Sequence, residues 1–281
     1  MLATGQRVGV RDEHGEVQVL APLPDDIHNY KWTTPQWSWG VLERLFQDCE
    51  RAKVTFQMEE YVDELDGKTK KRVKRDEQGM HDGLGSGWWF DALGLPKTFN
   101  TWATVCMLHM WMLKVRIRQL PKKMCDHWSD LLTNHFFWEA ERTMDFVHKI
   151  DASDRRKSLE AYSQIWRGTV VAYDEGLIKG DDVLAAAVWR QLFNADANVD
   201  PLKIALVTAY VRREVARLGR IEDEVLARGY VGFGEPVSEA DVLMQSPLMA
   251  APFESGSARQ TTDTPEEPKS AAENGLKGGV A

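Results

Sequence analysis

The sequence has few cysteines and no sign of a disulfide framework. Its three cysteines, Cys49, Cys106 and Cys125, form no Cys-x-x-Cys pair and are odd in number. Free thiols are typical of a reducing compartment, so this pattern predicts an intracellular protein. The first residues contain acidic side chains and lack an apolar run, so neither a secretory signal nor a transit peptide is visible in this sequence.

Long apolar runs are also missing. Within the most apolar passage, Thr98–Pro121, the densest run is the 12 residues from Trp102 to Leu113. A membrane-spanning helix needs about 20 predominantly apolar residues, so this run is too short. The passage instead predicts a helix from Thr98 to Leu120 that is buried in the protein, with one side kept for a partner as the alternative.

Recognisable catalytic motifs are absent from the sequence. It contains no G-x-x-x-x-G-K-[ST] phosphate loop, no H-E-x-x-H zinc motif and no G-x-S-x-G nucleophile elbow. Two acid-to-histidine pairs have the spacing of a di-iron motif, Asp25/His28 and Asp145/His148, and they are isolated from each other. We therefore predict no catalytic residue, no bound metal and no cofactor.

Charge and hydropathy are those of a globular protein. The chain has 281 residues, of which 43% are hydrophobic and 28% charged, and its formal net charge is -8. Such a charge argues against a protein that coats nucleic acid over its whole surface, and it leaves only a local basic patch for that contact.

Helical periodicity dominates the middle of the chain. Spacings of three and four residues predict three buried stripes, which comprise Leu159, Tyr162, Trp166, Val170, Tyr173 and Leu177; Leu184, Val188 and Leu192; and Ile204, Val207, Val211, Val215 and Leu218. Gly180 separates the first two stripes, and we expect Asp181 to cap the second helix. Asp200 and Pro201 are typical of the N-cap and the first position of the third helix.

The patterns together predict an all-α fold. We expect an N-terminal extension with a mobile basic and glycine-rich connection over 1–87, a multi-helix domain over 88–235 and a disordered tail over 236–281. The extension is irregular, and Arg7–Leu20 alternates like a short β-hairpin. The small residues Ala185–Ala187 favour close contact between helices.

The N-terminal extension contains two further features. The passage WSWGVLERLFQDCERAKVTF predicts one amphipathic helix, whose apolar face comprises Val41, Leu45, Cys49 and Ala52. Asp66–Gly87 combines five glycines with a basic run and is typical of an exposed, mobile connection. The basic run comprises Lys68, Lys70, Lys71, Arg72, Lys74 and Arg75. It predicts contact with ribosomal RNA or an acidic partner, with a solvated loop as the alternative.

Five segments between about Leu93 and Phe233 form a recognisable set. They are LGLPKTFNTW, LHMWMLKVRIRQLP, NHFF-x-x-x-E-R-x-M, AYDEGLIKGDDVLAAAVWRQLF and YVRRE. Together, and in this order, they resemble the ubiquinol–cytochrome c chaperone family of assembly factors for respiratory complex III. The resemblance implies a non-catalytic protein that binds newly synthesised cytochrome b with a small helical partner protein. It also implies work near the mitochondrial ribosome, support of cytochrome b translation, and a peripheral position at the matrix face of the mitochondrial inner membrane.

The resemblance also implies positions for partner or client binding. Carried over residue by residue, they are Trp102, His109, Trp111, Arg116, Arg118, Phe137, Tyr173, Asp174, Trp189, Arg190, Arg212 and Arg213. The sequence departs from the family pattern at Trp138, which is larger than the usual residue, and at Gln191, where asparagine is usual.

Packing offers another interpretation of some of these positions. His109, Trp111 and Trp189 could belong to a core in which their ring N–H groups find partners. Arg116 and Arg118 are two residues apart on a helix and therefore point about 200° away from each other. We expect one of them to pair inside the protein with an acid such as Asp174 and the other to remain for a partner.

Two other functions are compatible with the sequence. One is a helical enzyme with an unrecognised site, which would need a pocket with converging polar groups and a perturbed acid or base. The other is a membrane-peripheral scaffold without a specific client. Capture of cytochrome b by the tagged protein would distinguish a chaperone from an enzyme and from a scaffold.

Overall fold

The computed structural model of the chain describes residues 9–11, 17–19, 35–65, 67–75, 81, 83–234 and 236. Its helices are α1 (Pro35–Cys49), α2 (Trp88–Asp91), α3 (Phe99–Ile117), α4 (Lys122–Phe146), α5 (Ala152–Lys179), α6 (Asp181–Leu192), α7 (Pro201–Leu218) and α8 (Asp223–Ala227). Its strands are β1 (Gly9–Arg11), β2 (Val17–Val19), β3 (Thr55–Phe56), β4 (Met58–Val62), β5 (Thr69–Val73) and β6 (Gly83–Leu84). The predicted all-α class is confirmed, with short strands near the amino terminus.

α3 is the central, buried helix that the sequence predicts. Thr98 caps it, because the threonine side-chain oxygen accepts a hydrogen bond from the backbone N–H of Thr101 over 3.2 Å. Lys114 and Arg116 lie in the last turn, where positive charge complements the helix dipole, and Pro121 follows the helix end. α3 contacts α1, α4, α5, α6 and α7. None of the helices in the described part of the chain is long and apolar enough to cross a membrane.

The three predicted stripes all face the core. Their buried members are Trp166, Tyr173, Leu184, Val188, Leu192, Val207, Val211 and Leu218. Their half-buried members are Leu159, Tyr162, Val170, Leu177, Ile204 and Val215. α7 also begins as predicted, since Asp200 accepts a hydrogen bond from the backbone N–H of Leu202 over 2.9 Å and Pro201 opens the helix.

α5 and α6 approach each other closely at Gly176. A Cβ atom on this glycine would lie 2.5 Å from the Cα atom of Leu184, so only glycine permits the contact. α5 ends at Lys179, and the next residue, Gly180, has a φ of 136°, a conformation that favours glycine. The prediction that Asp181 caps α6 is wrong. Gly180 holds the N-cap position, and Asp181 is the first helical residue. The carboxylate of Asp181 accepts a hydrogen bond from Arg212.

The first predicted helix is shorter than expected. α1 ends at Cys49, and the chain then turns into β3, which pairs antiparallel with β6. Thr55 is β-branched and Phe56 is aromatic, and both types of residue favour a strand over a continued helix. The predicted apolar face is buried as expected and comprises Val41, Leu45, Cys49 and Ala52.

Part of the predicted mobile connection is a β-hairpin. β5 pairs antiparallel with β4, and Glu59 and Glu60 stand directly opposite Arg72 and Lys71. Opposite charges across two strands stabilise their pairing, so these residues form regular structure within the predicted connection, and its mobility stays a prediction. The predicted N-terminal hairpin is confirmed in its strands, β1 and β2. Its turn and residues 237–281 of the tail lie outside the described residues.

Candidate functional site

The imidazole of His109 is enclosed in the centre of the protein. Its Nδ1 atom lies 2.8 Å from the backbone oxygen of Val105, which can only accept, so Nδ1 carries the hydrogen. Its Nε2 atom lies 2.8 Å from the hydroxyl of Tyr210 and accepts from it. Burial lowers the pKa of His109 to about 3, which keeps the ring neutral. His109 thus ties α3 to α7.

Trp111, Asp174 and Arg118 form one polar link between α3 and α5. The indole N–H of Trp111 donates to Asp174 over 2.9 Å, and the guanidinium of Arg118 donates to both carboxylate oxygens over 2.7 and 2.8 Å. Burial by itself raises the pKa of Asp174, but hydrogen bonds from Arg118 and Trp111 outweigh it and lower the pKa. Tyr173 is buried beside the link, with its ring 5.1 Å from that of Trp111.

Arg116 also forms hydrogen bonds within the protein. Its side chain is 4% exposed, and its guanidinium donates to the backbone oxygen of Ile221 over 2.7 Å and to the carboxylate of Asp223 at the start of α8. Arg118 pairs with Asp174, as expected for one of the two arginines. The expectation that the other arginine remains for a partner is wrong, because a second acid lies on the opposite side of α3.

Trp102 and Phe137 belong to an aromatic stack between α3 and α4. The ring of Trp102 lies 5.5 Å from that of Phe136, with the planes 13° apart. Phe137 is half-buried and meets Phe136 edge-on at 5.2 Å. Trp102 is buried, so of these two predicted positions only Phe137 retains appreciable exposed surface.

Arg212 and Arg213 are neighbours on α7 with different contacts. Arg212 donates to the backbone oxygens of Leu177 and Gly176 over 3.1 and 3.0 Å, so it satisfies carbonyl groups in the last turn of α5. Arg213 donates over 3.1 Å to the carboxylate of Glu214, which is 1% exposed. Arg212 therefore joins α7 to α5, and a direct role in binding stays a prediction for both arginines.

An apolar groove lies between α6 and α7. It encloses about 350 Å³ and is lined by Ala185, Ala186, Trp189, Pro201, Ile204 and Ala205. The half-buried indole of Trp189 forms part of the groove, and its N–H donates to the backbone oxygen of Asp196 over 2.8 Å. Because the polar N–H is satisfied, the ring presents apolar surface to the groove. Arg190, the next residue, is exposed in the last turn of α6.

A second apolar surface includes Trp39 on α1 and Trp138 on α4, and Trp37 is a further exposed tryptophan on α1. Trp37, Trp39 and Trp138 are 38%, 40% and 57% exposed. Trp39 lies 6.3 Å from Trp138 and 4.1 Å from His135. Trp37 and Trp39 are not among the predicted binding residues, because they lie outside the predicted buried face of α1. Two tryptophans at the start of an amphipathic helix are nevertheless a visible signal in the sequence. Trp138 stands out in the sequence only as a departure from the family pattern.

The basic run lies on the β4–β5 hairpin, where acids face it. At least three of its residues form ion pairs, since Lys70 pairs with Asp63, Lys71 with Glu60 at 3.4 Å and Arg72 with Glu59 at 2.6 Å. The exposed hairpin therefore carries much less net charge than the basic run alone suggests. Contact with ribosomal RNA stays a prediction.

The chain is similar to proteins named as assembly factors. It is 36% identical over 140 residues to ubiquinol-cytochrome-c reductase complex assembly factor 1 of Xenopus laevis, a match that covers 49% of this chain and 67% of the frog protein. It is 31% identical over 150 residues to Protein CBP3, mitochondrial, of Saccharomyces cerevisiae, which covers 53% of this chain and 45% of the yeast protein. The chain thus spans less than half the length of this yeast relative.

A solved structure shares the fold. The crystal structure of the Cbp3 homolog from Brucella abortus superposes with a TM-score of 0.52 at 15% identity, and the match covers 72% of this chain and 93% of that one. A sequence profile described as Ubiquinol-cytochrome C chaperone matches residues 91–233, which is half of the chain. The matched range begins in α2 and contains α3 to α8 entire, so the helices that build the groove lie within it. The chain therefore belongs to the ubiquinol–cytochrome c chaperone family.

Proposed function

We propose that this protein is a non-catalytic assembly chaperone for the respiratory cytochrome bc1 complex, and that its client is newly synthesised cytochrome b. Family membership supports the assembly role, because relatives are named as assembly factors of ubiquinol–cytochrome c reductase. The observation that carries the proposal is the groove between α6 and α7, which is lined by apolar residues alone. A client that is destined for a membrane has apolar segments that need cover in water.

The groove suits a hydrophobic segment for two reasons. Ala185, Ala186 and Ala205 are small, so the backbone of a bound helix could approach α6 and α7 closely. Trp189 adds a large, rigid apolar face at the side. Each leucine-sized side chain that is buried there would contribute about 1.5–3 kcal/mol.

Several members of the predicted binding set position the helices that form this groove. Arg212 joins α7 to the end of α5, and the Arg118–Asp174 pair joins α3 to α5. His109 joins α3 to α7 through Tyr210. We assign these residues a positioning role and assign direct client contact to Trp189, with Arg190 and Phe137 as further exposed or half-buried candidates.

The wider setting is part of the same proposal. The domain over 88–235 binds the client together with a small helical partner protein, next to the mitochondrial ribosome, and so supports cytochrome b translation. Mitochondrial placement is supported by the yeast relative, which is named as mitochondrial. The proposed position is peripheral, at the matrix face of the inner membrane. The three exposed tryptophans support contact with a membrane surface, since indole rings favour membrane–water interfaces. Flotation of wild-type protein and of a triple alanine variant of Trp37, Trp39 and Trp138 with phosphatidylcholine vesicles tests this contact.

Client capture tests the groove. Tagged wild-type protein is compared with Ala205→Arg, which places a charge in the groove, and with Val171→Arg on the outer face of α5. Val171 is 66% exposed and lies outside the groove, so it controls for an added arginine. We expect cytochrome b to be lost with Ala205→Arg and retained with Val171→Arg at equal thermal stability. Equal capture of cytochrome b by both variants would contradict client binding in the groove.

A further inference from the structure

A second cavity lies where β3 meets the start of α3 and the segments around α4 and α5. It encloses about 300 Å³, and the residues that line it include Phe56, His81, Phe99, Asn100, His148 and Tyr162. Its size is at the lower end of ligand pockets in proteins. Asn100 is exposed and His81 half-buried, so the cavity is open to solvent at its edge. It shares no lining residue with the α6–α7 groove.

His148 is the unusual residue of this cavity. Both of its ring nitrogens are buried, and neither has a hydrogen-bond partner among the residues that the structure describes. Buried polar atoms in native proteins are nearly always hydrogen-bonded, so this pair of atoms calls for a partner. Burial is the larger cause and the nearby His81 the smaller cause that lower the pKa of His148 to about 4. The neutral ring has one nitrogen that donates and one that accepts.

Aromatic rings surround His148. Phe56 and Phe99 meet its ring nearly perpendicularly, at centroid distances of 4.5 and 5.9 Å. His81 stacks on it at 4.7 Å with the planes 11° apart. Lys149, the next residue, has a φ of 53°, a left-handed conformation that is costly for a residue with a side chain. His148 therefore has three aromatic neighbours, the rings of Phe56, Phe99 and His81.

A metal ion does not explain this arrangement. Imidazole lone pairs lie in the ring plane, so two nearly parallel rings such as those of His81 and His148 do not converge on one ion. The described residues also contain no group of three or more His, Cys, Asp or Glu side chains that could hold a metal. Flat apolar walls with one unsatisfied donor and acceptor suit an aromatic ring with a polar substituent.

We propose that this cavity binds a planar aromatic group that carries one O–H or N–H donor, such as a phenol or an indole. The unprotonated nitrogen of His148 accepts a hydrogen bond from the polar substituent, and Phe56 and Phe99 contact the ring. The group belongs either to a free small molecule or to a tyrosine or tryptophan side chain of a polypeptide.

The comparison of phenol with benzene tests the hydrogen bond. Binding of each compound to the purified full chain is measured by ligand-observed NMR for wild type and for His148→Phe, which keeps a ring of similar size. Wild type should bind phenol about ten times more tightly than benzene, and this preference should fall to about twofold or less in His148→Phe, since one hydrogen bond to a buried group accounts for such a factor. Benzene should bind both proteins similarly.

His127→Phe is the matched control, because His127 lies on α4 and bonds to Ser38, outside the cavity. The control should retain the phenol preference. A preference that persists in His148→Phe would overturn the proposal, and so would the absence of phenol binding to wild type up to its solubility limit. Tighter binding of N-acetyl-tyrosinamide than of phenol would identify a polypeptide side chain as the source, and weaker binding a free small molecule.

Discussion

The indole N–H of Trp111 donates a hydrogen bond to the carboxylate of Asp174 over 2.9 Å and so joins the buried helix α3 to α5. Trp111 is 0% exposed. Trp111→Ala should therefore lower the free energy of unfolding by about 3–5 kcal/mol, because it leaves a cavity and removes the hydrogen bond. Urea titration measures the change, and Trp138→Ala on the surface should cost less than about 0.5 kcal/mol. If Trp111→Ala kept full stability and abolished client capture, Trp111 would be a binding residue instead of a core residue.

Two glycines of α5 should respond to alanine in opposite ways. A Cβ on Gly176 would overlap the backbone of Leu184, whereas a Cβ on Gly168 would meet no atom within 4 Å. Gly176→Ala should destabilise the protein by about 1–3 kcal/mol because it forces α6 away from α5. Gly168→Ala should stabilise it by about 0.5–1 kcal/mol, since alanine is the better helix former. Thermal melts of both variants check this, and changes of the same sign would contradict the close packing of α5 on α6.

His109 should make the protein less stable in mild acid. Burial lowers its pKa from 6.5 to about 3, so between these values the unfolded chain binds a proton that the folded chain does not. Stability therefore decreases as the pH falls below 6.5. From about pH 7.5 to about pH 5, wild type should lose about 2 kcal/mol more than His109→Gln. Urea titrations of both proteins at the two pH values give this difference. Equal losses in the two proteins would show that His109 is accessible to protons in the folded state.

The basic run should affect ribosome association through its net charge. Binding to phosphate groups releases counterions, so replacing all six basic residues by glutamine should flatten the slope of log affinity against log salt by about 0.7 for each phosphate group that is no longer neutralised. Sedimentation with mitochondrial ribosomes at several salt concentrations measures the slope. Replacement of Lys122 and Lys123, which are exposed at the start of α4, is the control and should leave it unchanged. An unaltered slope in the hairpin variant would leave the run with a structural role only, in pairing β5 with β4.

Local signals allowed the helices to be predicted. Thr98 before an apolar run marks the start of α3, and the dipeptide Asp200–Pro201 marks the start of α7. The predicted end of α3 at Leu120 is too late, since the helix ends at Ile117. Such signals act within a few residues and are therefore visible in the sequence. The burial of α3 also follows from its composition, because apolar residues surround the whole helix.

Pairings between distant residues were not predictable in the same way. The acids that neutralise Lys71 and Arg72 lie on another strand, and their register depends on the turn between the strands. Arg116 pairs with Asp223, which is 107 residues away. The α6–α7 groove depends on how two helices cross, and the alanines that line it show only that close contact is permitted.

A cross-linking measurement addresses the site of client binding most directly. A photoreactive residue is placed at Ala186 or Ala205 in the groove, or at Val171 on the outer face of α5, and the protein is irradiated while mitochondrial ribosomes translate radiolabelled cytochrome b. We expect labelled cytochrome b to be attached at positions 186 and 205 and not at 171. Attachment at position 171 alone, or at none of the three, would contradict the proposal that the groove between α6 and α7 holds the client.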